Sequence, residues 1–159
     1  MDEPSLSGDL LVETVFQDRL VVAVGTHHPL ARRRKVKWAQ LVDLPWAVTG
    51  WNSRLIEEAF KAEGLRGPRV LMSTLSVHLR ARMAATMGFV TALPSSILLL
   101  HGANLHLKSL PLELPSPTWP VLAVTVRNRM PSPVVEGFLA DLRATAQLLG
   151  SRDVAGRSD

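Results

Sequence analysis

The chain of 159 residues contains no cysteine and no tyrosine, and only 5% of its residues are aromatic. Without cysteine the protein forms no disulfide, no thiolate metal site and no thiol nucleophile. Its apolar runs are far shorter than the roughly 20 residues that a membrane-spanning helix needs. The first residues, Met1-Asp2-Glu3-Pro4-Ser5, are acidic and polar and do not resemble a secretory signal, so we expect a cytoplasmic protein.

The composition that is present is typical of a folded domain, because 47% of the residues are hydrophobic and 20% are charged. The length suits one ordinary domain or two small lobes, and it is enough to bury a core. The net charge is +4, and five of the eighteen basic residues lie between Arg32 and Lys37. We interpret this run as a solvated turn and expect no direct nucleic-acid binding by this chain.

Short apolar runs alternate with helical patterns between residues 45 and 107, which predicts βαβ units and a mostly parallel sheet in an α/β fold. Gly64 is expected to end one helix in the left-handed conformation, and Gly88 to break the next. Ser132 and Pro133 are expected to open the last helix. The predicted strands are Leu10–Val15, Leu20–Val24, Pro45–Val48, Arg69–Met72, Phe89–Leu93, Leu105–Leu107 and Val121–Val126.

The first predicted strand-to-helix loop with ligand-binding character contains Thr49, Trp51, Asn52 and Ser53. The free N–H groups and the positive end of a helix attract carboxylate or phosphate groups, and Trp51 is suited to cover an aromatic ring. The alternative is that Asn52 and Ser53 only cap the helix while Trp51 is packed, since capping and anion binding use the same groups.

The next strand-to-helix loop repeats this arrangement with Ser73 and Thr74. Capping of the following helix explains each of these residues, and Ser76, equally well. The two loops together make the stronger case, because ligands of open α/β sheets bind at the carboxyl ends of strands, where polar groups converge. We therefore predict one ligand site that both loops form.

Neither a metal site nor a catalytic site is predicted. His27 and His28 are adjacent, so on an extended chain their side chains point to opposite sides, and His101 and His106 have no carboxylate pattern around them. The sequence contains no nucleophile elbow, no zinc-protease motif and no phosphate-binding glycine loop. We expect no catalytic residue, no metal and no cofactor.

Several segments, taken in order, resemble one known family. The apolar strand before residue 26 leads into His27-His28-Pro29-Leu30-Ala31, a basic turn follows, and then comes Asp43-Leu44-Pro45-Trp46. Further along are Met87–Pro94, a proline-rich stretch over 111–120, and Ser132-Pro133 before the last helix. In this order the segments resemble the C-terminal effector-binding domain of LysR-type transcriptional regulators.

The resemblance implies a periplasmic-binding-protein-like α/β domain of type 2, with two lobes and a ligand cleft between them. The second lobe would be complete with a mostly parallel sheet, and the first lobe would be partial. Leu20–Gly25 and Val121–Val126 would be the two crossing strands. By this division, residues 1–25 are a remnant of the first lobe with its crossing strand, 26–120 the second lobe, 121–150 the return strand and C-terminal helix, and 151–159 a disordered tail.

The function implied by the resemblance is effector sensing by a fragment of a bacterial regulator that is truncated at its N-terminus. A small molecule, a carboxylate or an aromatic acid, would bind in the cleft. The intact regulator would form a homodimer or tetramer and bind DNA through a helix-turn-helix domain that is absent here, with no membrane partner. Two alternatives remain open: a solute-binding protein of a transport system with the same fold, and an enzyme with an unrecognised site.

Overall fold

The computed structural model describes residues 9–128 and 130–155. The predicted polar start of the chain, and the last four residues of the predicted tail, lie outside this part. In chain order its strands and helices are β1 (Leu10–Asp18), β2 (Leu20–Gly25), β3 (Pro45–Val48), α1 (Gly50–Ala62), β4 (Arg69–Ser73), α2 (Val77–Met87), β5 (Val90–Pro94), α3 (Ser95–His101), β6 (Leu107–Ser109), β7 (Trp119–Val126) and α4 (Pro133–Ala155). Single 3-10 turns lie at Pro29–Arg32 and Trp38–Leu41.

The chain forms two compact units, of which the first combines the residues up to Asp18 with those from Trp119 onward. Its sheet is the antiparallel pair β1–β7. A bidentate ion pair ties α4 to this sheet, with the Arg143 guanidinium 2.8 and 2.7 Å from the two carboxylate oxygens of Glu13. The pKa of Glu13 is lowered, because Arg143 hydrogen-bonds to the charged carboxylate.

Helix α4 begins at Pro133, as predicted, and the Ser132 hydroxyl accepts a hydrogen bond from Val135 N at 3.4 Å. The helix continues to Ala155, so its backbone runs into the segment 151–159 that was expected to be disordered. Alanine and leucine are the most frequent residues of α4, and their high helix propensity favours a long helix. None of the helices in the described ranges has the length and apolarity of a membrane span.

The second unit, Arg19–Thr118, contains a five-stranded sheet of order β4-β3-β5-β2-β6. Strand β3 pairs in parallel with β4 and β5, whereas β2 pairs antiparallel with β5 and β6. Four strands thus run in one direction and β2 in the other. The prediction of a mostly parallel sheet is correct for strand direction, but it missed the single reversed strand.

Strand β2 differs from its predicted role as a crossing segment. All six residues of Leu20–Gly25 are buried within the five-stranded sheet, and the change of unit occurs at Asp18 and Arg19. A continuous apolar run needs cover on both faces, which a five-stranded sheet between helices provides. The return occurs between Thr118 and Trp119, so the second unit spans 19–118 instead of 26–120.

Helices α1 and α2 cover opposite faces of this sheet. In β5, Val90 and Ala92 belong to the core cluster under α1, whereas Leu93 belongs to the cluster under α2. Because successive side chains of a strand point to opposite faces, the two helices lie on different sides. The core under α1 centres on three aromatic rings, with Phe60 5.2 Å from Trp38 and 5.9 Å from Trp46 between ring centres.

Both predicted glycine stops are found. Gly64 follows the end of α1 with φ +68°, and Leu65 N donates to Phe60 O at 2.9 Å across this turn. Gly88 follows α2 with φ +70°. A left-handed residue at this position allows the chain to leave the helix while its last carbonyls keep hydrogen bonds, and glycine adopts it without strain.

Candidate functional site

The strands β3 and β5 form the topological switch point of the five-stranded sheet. They are parallel neighbours, and each is followed directly by a helix. Helix α1 packs on one face, whereas Leu98 of α3 packs on the other face, against the cluster that contains Leu93. Chains that leave adjacent strand ends toward opposite faces open a crevice there, and ligands of open α/β sheets bind at such crevices.

Thr49 caps α1 in place of the predicted Asn52 or Ser53. Its backbone is still extended, with φ −99° and ψ 160°, and its hydroxyl accepts a hydrogen bond from Asn52 N at 3.0 Å. The helix therefore begins at Gly50, earlier than the capping pattern predicted. Threonine, serine and asparagine all serve as caps, so residue type alone did not distinguish between the three candidates.

Asn52 is 4% exposed, and its side-chain amide does not cap the helix. Its Nδ2 donates to the carbonyl oxygen of Ala92 in β5 at 3.1 Å. Ala92 lies one residue beyond the last β3–β5 pair, Ala47 with Thr91, so its carbonyl is available where the strands part. Asn52 thus connects the first turn of α1 to the switch point.

The second predicted loop lies beside the first. Ser73 pairs with Val48 at the ends of β4 and β3, and Thr74 N donates to Val48 O at 2.9 Å. The Thr74 hydroxyl accepts from Ser76 N at 3.2 Å, and Ser76 caps α2. We refer to residues 49–53 and 73–74 together as the loop edge. The sequence placed both loops at one edge of the sheet, and the structure has them as neighbours.

The remaining two predicted site residues differ in accessibility. Trp51, in the first turn of α1, is 61% exposed, so it is not packed in the core. Ser53 donates its hydroxyl to the Glu57 carboxylate at 3.0 Å, one turn along the same helix. The next residue of α1, Arg54, has its Nε 3.5 Å from the Glu58 carboxylate and is highly exposed. Trp51 therefore belongs to the accessible surface of the loop edge, whereas Ser53 is turned along the helix.

Sequence reasoning missed Arg80, the fourth residue of α2. This residue is 2% exposed, and its Nη1 donates to the Ala92 carbonyl at 2.7 Å, the same oxygen that accepts from Asn52. Burial lowers the pKa of Arg80, because the charged form loses hydration. The spacing of Val77, Arg80, Ala81 and Ala84 follows one helical face, so the periodicity contained a signal that Arg80 points inward.

One histidine, His28, caps the 3-10 turn at Pro29–Arg32. His28 Nδ1 accepts a hydrogen bond from Leu30 N at 3.2 Å, and partial burial lowers the pKa of this imidazole. Within residues 9–128 and 130–155, no group of three or more His, Asp or Glu side chains is arranged to hold a metal ion.

A cavity of about 380 Å³ lies in the first unit. Its lining is mainly apolar, with the hydroxyls of Thr125 and Ser132 but no charged group; the other lining residues are Val126, Met130, Pro131 and Val135. The loop edge belongs to the second unit. We favour the loop edge as the site, because helix N-termini and buried polar groups converge there and size alone identifies no chemistry.

A family model described as the LysR substrate binding domain matches residues 1–147. The probable nitrogen assimilation transcriptional activator of Synechococcus elongatus is 34% identical over 70 residues, which are 41% of this chain and 23% of that protein. The chain thus matches less than a quarter of the length of this curated relative.

Two solved structures are similar in fold. The regulatory domain of Synechocystis PCC6803 CcmR, in complex with 2-PG, has a TM-score of 0.58 and 22% identity, covering 92% of this chain and 71% of that one. The effector binding domain of QuiR, in complex with shikimate, has a TM-score of 0.53 and 17% identity, covering 87% and 66%. The predicted α/β, periplasmic-binding-protein-like fold class is confirmed.

Proposed function

The chain belongs to the LysR substrate-binding domain family, and from this premise we propose that it binds a small-molecule effector at the loop edge. The observation that carries the proposal is the hydrogen bond from Thr74 N to Val48 O, which joins the two strand-to-helix loops at one edge of the sheet. The first turns of α1 and α2 thereby present N–H groups and positive helix ends to the same region.

The effector we propose is a carboxylate or an aromatic acid. Shikimate, which is bound to the QuiR effector domain, is a carboxylate, and CcmR binds 2-PG. At the loop edge, helix N-termini would accept the acid group while the exposed Trp51 would cover an apolar ring. Family membership favours this reading over that of a transport protein with the same fold.

In the intact regulator, effector binding would act by population shift. An effector that prefers one arrangement of the domain by about 1–3 kcal/mol is enough to bias a paired assembly. We propose a homodimer or tetramer in the cytoplasm that binds DNA through a separate helix-turn-helix domain. This chain would sense the effector without catalysing a reaction.

The test is a titration of the purified chain with a panel of small acids that includes shikimate and 2-PG, followed by thermal unfolding and calorimetry. A ligand at 100 times its dissociation constant raises the free energy of unfolding by about 2.7 kcal/mol, which is a measurable shift in Tm. A panel without any saturable binding at millimolar concentration would contradict the proposal.

The Trp51→Ala variant connects binding to the loop edge. We expect it to weaken an aromatic acid found in the panel by roughly tenfold, as the loss of one stacking contact of about 1.5 kcal/mol implies. Met87→Ala is the matched control, because Met87 is 63% exposed and lies at the C-terminal end of α2, away from the loop edge. Calorimetry of both variants decides the matter: equal affinities for wild type and Trp51→Ala would exclude this surface as the ring-binding face.

A further inference from the structure

We infer that Arg80 makes the site selective for effectors with a negative charge, an inference that rests on the proposed effector-binding function. Arg80 is 2% exposed, and its guanidinium reaches the Ala92 carbonyl at the switch point between β3 and β5. It is the fourth residue of α2, in the first turn after the helix end that would hold the effector. Its role is that of a positioning residue, which acts through its charge and through the carbonyl that it holds.

The charge of Arg80 has no carboxylate partner in the described part of the chain. Ion pairs such as Arg54–Glu58, Arg66–Asp43 and Arg143–Glu13 lie at the surface and do not include Arg80. A buried guanidinium without a counter-ion is costly, because it has lost water and gained no opposite charge. An anion bound nearby would supply the missing charge, whereas a neutral ligand would not.

Two buried polar atoms near this point are also unused. Arg80 Nε and Thr91 Oγ1 have no hydrogen-bond partner. Thr91 is fully buried and lies next to Ala92, and alternation along β5 directs its side chain to the same face of the sheet as α2. Buried polar groups in native proteins are almost always satisfied, so Arg80 Nε and Thr91 Oγ1 have hydrogen-bonding capacity that a bound group would use.

The Ala92 carbonyl links this charge to the loop edge. It accepts from Arg80 Nη1 at 2.7 Å and from Asn52 Nδ2 at 3.1 Å, so residues from α2 and α1 meet on one oxygen. Asn52 N in turn donates to the Thr49 hydroxyl. The positive ends of α1 and α2 lie at the same edge and add to the potential of the guanidinium. The resulting field favours an anion at the mouth of the crevice.

A purely structural role for Arg80 predicts a different result. If the guanidinium only clamps the Ala92 carbonyl, its removal loosens the site and weakens charged and neutral ligands equally. If its charge matters, removal weakens the charged ligand alone. The decisive quantity is therefore the ratio of affinities for an acid and its neutral counterpart of the same shape.

The experiment measures binding of two matched pairs, benzoate with benzamide and shikimate with its methyl ester, by calorimetry on wild type, R80Q and R80K. We expect wild type to prefer the acid by roughly tenfold or more, as interactions with a poorly hydrated charge imply. R80Q should reduce this ratio to near one while it retains the neutral ligand. R80K should keep the preference, because it keeps the charge.

R82Q is the matched control, since it removes the same charge from an exposed position two residues along α2 and should keep the wild-type ratio. Should R80Q not fold, R80M, whose unbranched apolar chain fills a similar space, serves the same comparison. Inorganic phosphate provides a second readout that needs no effector. At constant ionic strength it should stabilise wild type and R82Q saturably, and this stabilisation should be lost in R80Q or R80M.

The outcomes separate this inference from the proposed function. Equal binding of acid and neutral counterpart by wild type, or a parallel loss of both in R80Q, would overturn the role of Arg80 and leave the effector function standing. If wild type binds none of the four ligands and phosphate has no effect, the charge selectivity is overturned. If no acid of the larger panel binds saturably, the proposed effector function itself is contradicted. A ratio that falls only when the charge is removed at position 80 supports the inference.

Discussion

Replacing Trp46 with alanine is expected to lower the free energy of unfolding by roughly 3–5 kcal/mol, the range for truncating a fully buried aromatic side chain. Trp46 in β3 has no exposed surface and packs edge-on against Phe60 with ring centres 5.9 Å apart. Its indole Nε1 also donates to Leu41 O at 3.2 Å. The variant thus loses apolar contacts and one of the two hydrogen bonds that Leu41 O accepts, the other of which comes from Leu44 N at 3.3 Å. Both losses destabilise the second unit.

Urea unfolding of the wild type and the Trp46→Ala variant measures this change. Trp51→Ala is the matched control for stability, because it removes the same side chain five residues along from a position that is 61% exposed, where substitutions usually cost less than about 0.5 kcal/mol. Similar midpoints for the two variants would show that the aromatic cluster does not hold this unit together.

Three helix ends followed from local sequence rules. Gly64 and Gly88 have positive φ after α1 and α2, and Pro133 opens α4, as expected. These positions depend on the conformational freedom of one residue, which does not require knowledge of the rest of the fold. The α/β class was predictable for a similar reason, since alternating periodicities are local.

Residues with several equivalent local roles were not resolved from sequence. Thr49, Asn52 and Ser53 all satisfy the rules for a helix cap, and only the tertiary fold makes Thr49 the cap and directs Asn52 to Ala92, 40 residues away. The role of β2 is a related case. Its apolar run predicts a covered strand, but nothing local distinguishes a crossing segment from an internal strand of the larger sheet.

The candidate site was predictable as an edge but not as a crevice. Parallel strands place Ser73 beside the end of β3, and this neighbourhood followed from the βαβ pattern. The switch point lies between β3 and β5, whose pairing depends on the order of strands in the sheet. Arg80 was missed because a lone arginine in a helix is usually solvated. Its burial depends on the hydrogen bond to the carbonyl oxygen of Ala92 in β5, which the pattern of α2 alone does not predict.

Gly25→Ala is the other substitution with a large expected effect, because a methyl group there would collide with the backbone of α2. It would lie 2.6 Å from the carbonyl oxygen of Ala84 and 2.9 Å from Cα of Ala85. Backbone atoms cannot rotate away as a side chain can, so α2 must move from the end of β2. We expect a loss of about 1–3 kcal/mol in the free energy of unfolding, typical of overpacking.

The displacement of α2 would also reach the site, because Arg80 and the N-terminus of α2 move with the helix. Gly25→Ala should therefore weaken any acid that the wild type binds, in addition to lowering the urea midpoint. Gly67→Ala is the matched control, since nothing lies within 4 Å of a methyl group at that exposed position. A Gly25→Ala variant that unfolds at the wild-type urea concentration would show that α2 does not approach β2 this closely, and the placement of Arg80 by this helix would then need revision.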